Sequence, residues 1–159
     1  MHPAGPPAAA LQAVALAKAR AVAGRVPAHP PAVVLGADTE VVLDGRLLGK
    51  PRDAEDAARM LRALRGRVHE VVTGLALVAT GPAGREETAA VTSRVAMADY
   101  DEAAIGAYVA TGEPLDKAGG YAVQGVGARL VARVEGCYTN VVGLPLETTR
   151  RLLEGWGVL

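Results

Sequence analysis

Apolar residues recur at helical spacing over residues 8–22, where Leu11, Val14, Ala15, Lys18 and Val22 share one stripe. The chain is therefore expected to begin its ordered part with a helix carrying a lysine in the middle of its apolar face. The spacing then changes. Ala32-Val33-Val34-Leu35 is an unbroken apolar run closed by Gly36-Ala37-Asp38-Thr39, the pattern of a buried strand that delivers Asp38 at its carboxyl end. Alternation through Val41 to Leu43, then Asp44-Gly45, then Arg46-Leu47-Leu48 spells a hairpin, because Asp-Gly tolerates the positive φ angles of a tight β-turn. Asp53 is placed to cap a helix over residues 54–64 buried through Ala57, Met60, Leu61 and Leu64, with Gly66 beyond its end.

Two long β-type segments follow, residues 68–79 and 86–97, joined across Gly81-Pro82-Ala83-Gly84 as a second hairpin. Asp101 caps a further helix through Tyr108, closed near Gly112. A glycine-rich stretch over residues 119–127 precedes a strand from Leu130 to Val134, and Pro145 opens a last helix ending near Gly155. Hairpins alternating with helices predict an α/β fold over residues 1–159: one domain, a mixed main sheet with flanking helices, and neither repeats nor an internal linker.

Composition narrows the partners. The 159 residues are enough for one buried core, half of them are apolar, and the formal net charge is zero. No basic run or basic-aromatic stripe follows a nucleic-acid backbone, so polymeric nucleic acid is not an expected partner. No apolar run approaches the roughly 20 residues that span a bilayer. The start, Met1-His2-Pro3-Ala4-Gly5-Pro6-Pro7, lacks the charged and apolar regions of a leader. No membrane association is expected, and the cytoplasm is the expected location. Cys137 stands alone, which fits a reducing compartment and excludes a disulfide framework, while His2, His29 and His69 lack metal-ligand spacing.

Candidate chemistry comes from carboxylates and lysines. Only three lysines occur, Lys18, Lys50 and Lys117, against fourteen arginines. Drift toward GC-rich codons explains the rarity but not the placement: Lys18 on a helix stripe, Lys50 in Gly49-Lys50-Pro51, Lys117 in Asp116-Lys117-Ala118-Gly119. A compact ammonium differs from a planar guanidinium at such positions. Nucleophilic catalysis is poorly supplied, since Ser93 lies inside a strand pattern and Cys137 has no histidine near it in sequence. Asp38 reads as a turn cap, a general base or a magnesium ligand. Glu40 is either an exposed strand residue or, two positions on, the partner of Asp38 in a carboxylate pair. Asp116 and Lys117 either pair to pin a loop or flank backbone at Gly119 that an anion could approach. Neither a G-x-x-x-x-G-K-[ST] loop nor a G-x-G-x-x-G after a strand is present.

Taken in order, Gly36-Ala37-Asp38-Thr39, Leu43-Asp44-Gly45 with Gly49-Lys50-Pro51, His69-Glu70-Val71-Val72-Thr73-Gly74, Gly112-Glu113-Pro114-Leu115-Asp116-Lys117-Ala118-Gly119 with Gln124-Gly125, and Asn140-Val141-Val142-Gly143-Leu144-Pro145 resemble the Maf family. Its members are nucleoside triphosphate pyrophosphatases first described as septum-formation inhibitors. The resemblance implies two lobes around a nucleotide cleft, similar to the inosine triphosphatases. It also implies hydrolysis of a nucleoside triphosphate to monophosphate and pyrophosphate with a divalent cation, Mg2+ or Mn2+, for which the residues themselves offer the Asp38–Glu40 carboxylate pair.

On that resemblance Asp38 is the proton acceptor, and Lys18, Lys50 and Lys117 offset triphosphate charge. Asp116 and Gly119 belong to the phosphate cleft. Thr39 and Gln124 place the chain in the branch acting on dTTP and UTP, and a homodimer is compatible with it. Two departures accompany the match. The family's first strand and Ser-x-Ser-Pro-Arg-Arg loop have no counterpart here, which predicts an open sheet edge and, through a lost phosphate contact, a rate lowered on the order of a hundredfold. Glu40 stands at a usually apolar position. The alternative implied by these departures is a catalytically weak or inactive nucleotide-binding protein that regulates septum formation.

Overall fold

The longest regular elements are two 12-residue strands, β3 (Val68–Ala79) and β4 (Glu86–Met97). Nearly every residue of β3 from Val71 onward is buried, so both faces of this strand are covered. The computed structural model describes residues 7–82 and 84–159. In it a five-stranded antiparallel sheet runs in the order β2-β1-β3-β4-β5, with β1 at Val33–Leu43, β2 at Arg46–Leu47 and β5 at Val131–Glu135. Five α-helices pack on it: α1 (Pro7–Ala23), α2 (Ala54–Leu64), α3 (Glu102–Ala110), α4 (Tyr138–Val142) and α5 (Leu146–Gly155). Three short 3-10 turns, Glu113–Asp116, Ala118–Gly120 and Gly125–Leu130, lead from α3 through the glycine-rich stretch to β5.

One face of the sheet carries α1, and two glycines decide how closely. A Cβ on Gly74 would lie 2.2 Å from the carbonyl carbon of Leu11, and one on Gly36 would lie 2.3 Å from the carbonyl oxygen of Ala15. Helix backbone therefore rests almost directly on strand backbone, which only small residues permit. The buried stripe is Leu11, Ala15 and Ala19, following the alanines, so the helix is rotated from the orientation that its larger apolar residues suggest. Val22 is left exposed, and Lys18 sits at the rim of the contact rather than in the middle of the apolar face.

The second correction concerns β1. Its pairing with β3 is unbroken from Val33↔Ala79 to Val42↔Glu70, so Asp38 lies in the middle of an eleven-residue strand, not at the end of a short one. The long partner strand carries the backbone straight through Gly36. On the side away from β3, β1 pairs only at Val42 and Leu43, with β2. Among the described residues no strand lies along the remainder of that edge.

The opposite face holds the main core. Val41, Leu43, Val71, Val95 and Met97 pack against Leu61 and Leu64 of α2 and Ile105 and Tyr108 of α3. Helix α2 begins where Asp53 accepts the backbone N–H of Asp56, and Asp56, itself buried, accepts the Arg52 amide at 3.1 Å. That backbone hydrogen bond, with the side chain of Arg59, holds the Asp56 carboxyl down at about 2. Toward the other end of the face lie α4 and α5, the latter tied to β4 by Trp156 Nε1 donating to Glu87 at 2.6 Å.

His69 is buried in this layer, its Nε2 bonded to Tyr121 Oη at 2.7 Å. Burial lowers its pKa from 6.5 to about 4. The folded state thus disfavours the imidazolium that the unfolded chain accepts. This stabilising difference is complete above about pH 6.5 and is lost as pH falls toward 4, about 3 kcal/mol in all. The urea midpoint is expected to drop across that window, and His69→Gln, though less stable at pH 7.5, should show a flatter profile.

Candidate functional site

A cavity of about 290 Å³ opens at the unpaired edge of β1. Four consecutive strand residues line it, Asp38, Thr39, Glu40 and Val41. Successive strand side chains point to opposite faces, so the cavity wraps around the strand edge. Asp38 and Glu40 are reached from the α1 face, Thr39 and Val41 from the other. Lys50, Asp116, Lys117 and Gln124 form one wall, and Val141, Val142 and Gly143 of α4 and its C-cap form the opposite one.

On the α1 face, the ammonium of Lys18 donates to Asp38 Oδ1, an ion pair across the helix–strand contact. The pair exists because Gly74 stands directly opposite Asp38 in the register and lets α1 lie low enough for Lys18 to reach it. The Lys18 side chain is 55% exposed and that of Asp38 20%, so the pair is solvated and an incoming anion can compete for the ammonium.

Lys50 and Lys117 reach the same space from two loops that are stitched together. The Gly119 amide donates to the Gly49 carbonyl at 2.8 Å. Gly119 holds φ 72° with its α-carbon against Val41, where a Cβ would come within 2.8 Å of Cγ2. Both the left-handed angle and the contact require glycine. Gly119 is accordingly buried behind the cleft wall with its amide already bonded, and Gly120 N–H is taken by the Lys117 carbonyl. That stretch shapes the wall and leaves neither amide for an anion. Lys117 Nζ lies 3.5 Å from Asp116 Oδ1, both side chains exposed. Lys50 makes no ion pair among the described residues.

Gln124 sits on a loop held by Glu113, whose carboxylate accepts from the Gly127 amide at 3.1 Å and from Tyr108 Oη at 2.9 Å. Tyr108 Oη in turn accepts the Ala122 amide at 3.0 Å, and burial pushes its pKa up.

On the far side of β1, Thr39 Oγ1 lies 2.8 Å from Thr73 Oγ1 and donates to the Gly143 carbonyl at 3.1 Å. Asn140 is fully buried and donates to Val71 O and Ser93 Oγ, both at 3.0 Å, which fixes α4 beneath Gly143. Thr73, Tyr121 and α4 itself were not singled out from sequence as parts of the site. A threonine inside an otherwise apolar buried strand was the available signal for Thr73. For α4 the signal was the Asn140-Val141-Val142-Gly143 motif, read only as part of the resemblance.

Two carboxylates two positions apart on one face of β1 suit a hard cation. Among the described residues no group of three His, Cys, Asp or Glu side chains could hold a metal unaided. The donor set therefore fits a cation shared with ligand oxygens.

A family model described as Maf-like protein matches residues 2–156. A dTTP/UTP pyrophosphatase of Moorella thermoacetica is 54% identical over 153 residues, covering 96% of this chain and 77% of that protein. One of Anaeromyxobacter sp. (strain Fw109-5) is 52% identical over 159 residues, covering 99% of the chain and 74% of the relative. A third, of Dictyoglomus turgidum, is 52% identical over 126 residues, 79% of the chain and 65% of its own length. This chain belongs to the Maf family.

Proposed function

We propose that the protein hydrolyses dTTP and UTP to the nucleoside monophosphate and pyrophosphate. The observation carrying the proposal is that one cavity receives Asp38, Lys50, Lys117, Thr39 and Gln124, from segments far apart in sequence, with Lys18 bonded to Asp38 at its mouth. Relatives about half identical that carry the name dTTP/UTP pyrophosphatase support the choice of substrate.

In the reaction, water attacks the α-phosphorus. A new P–O bond forms, the bond to the bridging α,β-oxygen breaks, and pyrophosphate departs. Asp38 takes the water's proton, its carboxylate oriented by Lys18. Lys50 and Lys117 face the β- and γ-phosphates, where negative charge accumulates as the leaving group separates. The exposed Lys117–Asp116 contact is weak enough for phosphate to displace.

A divalent cation, Mg2+ or Mn2+, would be held by Asp38, Glu40 and the triphosphate, and would supply charge neutralisation at the transferring phosphoryl group. Gln124 offers both a donor and an acceptor to a pyrimidine edge. Among the described residues no helix is long and apolar enough to cross a membrane, and the lone Cys137 suits the reducing cytoplasm, where the nucleotide pool lies.

The direct test measures pyrophosphate release from dTTP, UTP, CTP, ATP and GTP with either cation. Turnover is expected on dTTP and UTP above all others. Tight binding of a nonhydrolysable UTP analogue with no turnover of any nucleotide would replace this reading with a binding protein.

A further inference from the structure

Thr39 has one hydroxyl hydrogen, and the structure spends it. The Gly143 carbonyl can only accept, so the 3.1 Å contact from Thr39 Oγ1 fixes Thr39 as donor there. In the 2.8 Å contact between the two threonines, Thr73 must then be the donor and Thr39 the acceptor. Proton direction thus runs one way, from Thr73 through Thr39 to Gly143. Each support of this chain is buried or anchored: Thr73 has no exposed surface, and Asn140, equally buried, pins the helix whose C-cap is Gly143.

The remaining lone pair of Thr39 is what the cavity receives, since Thr39 lines it. An acceptor with no hydrogen to give distinguishes pyrimidines. Uracil and thymine carry N3–H, a donor between two carbonyl oxygens, whereas cytosine presents N3 as an acceptor. A donated N3–H would be welcomed and the cytosine N3 lone pair would face another lone pair.

We propose that Thr73 is a positioning residue for base selection: by donating to Thr39 it holds Oγ1 against the Gly143 carbonyl, which takes the Thr39 hydrogen, leaves the hydroxyl an acceptor toward the cavity and so favours uracil and thymine over cytosine. This rests on the dTTP/UTP reading above and adds a residue and a polarity to it. Thr73 does not line the cavity, so it acts through Thr39 alone.

The test uses binding, so that it stands apart from turnover. Affinities of the whole chain for α,β-methylene UTP and α,β-methylene CTP are measured by calorimetry for the wild type, Thr73→Val and Thr73→Ser. The wild type is expected to prefer the uracil analogue on the order of tenfold, the value of one hydrogen bond made against one refused. Thr73→Val keeps the shape but not the hydrogen. It removes the contact that holds Thr39 Oγ1 against the Gly143 carbonyl, so the side chain can rotate and turn its hydrogen to the cavity; the preference should fall severalfold, chiefly by improved cytosine binding, and Thr73→Ser should restore it. Thr73→Cys, a weak donor, replaces the valine variant if that variant does not fold. An unchanged preference in Thr73→Val, no preference in the wild type, or no binding of either analogue overturns the proposal. Preference without turnover would sink the enzymatic reading and leave this one intact.

Discussion

Asp38→Asn is expected to lower pyrophosphate release from dTTP by about a thousandfold, within the range seen when a general base is removed. Asparagine matches aspartate in shape, and the backbone at position 38 is held by β3 opposite Gly74, so the fold should survive. An exposed Lys18 that loses its partner costs little. The outcome that supports Asp38 as the proton acceptor is loss of kcat with nucleotide binding retained. A variant that binds and turns over dTTP at the wild-type rate would transfer that role to another group.

Gly74→Ala has the second large effect, and it acts on stability. The added methyl would meet helix backbone at 2.2 to 2.5 Å, from Leu11 and Gln12, where no rotamer change can relieve it. Either α1 lifts or β3 bends, at a cost of about 3 kcal/mol or more. Urea unfolding measures this directly. Gly106→Ala on α3 is the control: it points into open space at a helical position without positive φ and should be neutral or stabilising by up to about 1 kcal/mol. Whatever fraction of Gly74→Ala folds should also lose the Lys18–Asp38 pair, because a helix lifted from β3 carries its lysine away. Weak turnover with normal unfolding would contradict that link.

Elements with local signatures were legible in the sequence. Asp53 before a 3.6-residue period marked α2 at its observed bounds, and two long β-type segments around a Gly-Pro turn marked β3 and β4. What failed depended on partners far along the chain. The orientation of α1 follows Gly36 and Gly74, which lie outside the helix, so a stripe drawn from its own apolar residues placed Lys18 wrongly. The apolar run before Gly36 and the alternation through Val41 to Leu43 were read as separate pieces because nothing local announces that β3 pairs with both and carries β1 straight through Gly36.

The candidate site divides along the same line. Asp38 and the lysines were readable one motif at a time. The hydroxyl chain from Thr73 to Thr39 to Gly143 joins residues 34 and 104 positions apart and becomes visible only when register brings them together. Gly119 was misplaced for a related reason. Glycine can approach a ligand or a neighbouring side chain with equal ease, and here the neighbour is Val41.

The cavity's wrapping of one strand edge has an evolutionary consequence. Asp38 and Thr39 are adjacent in sequence yet face opposite sides of β1, so the proposed chemistry and the proposed base preference occupy separate neighbourhoods, one under α1 and one under α4. Substitutions around Thr39 can retune the accepted base while the reacting groups stay in place. Insertion of a single residue into β1 would do the reverse, exchanging the two faces and presenting a hydroxyl to Lys18 and a carboxylate to the Gly143 carbonyl. Point changes can therefore diversify such a site, whereas changes of length within this strand cannot.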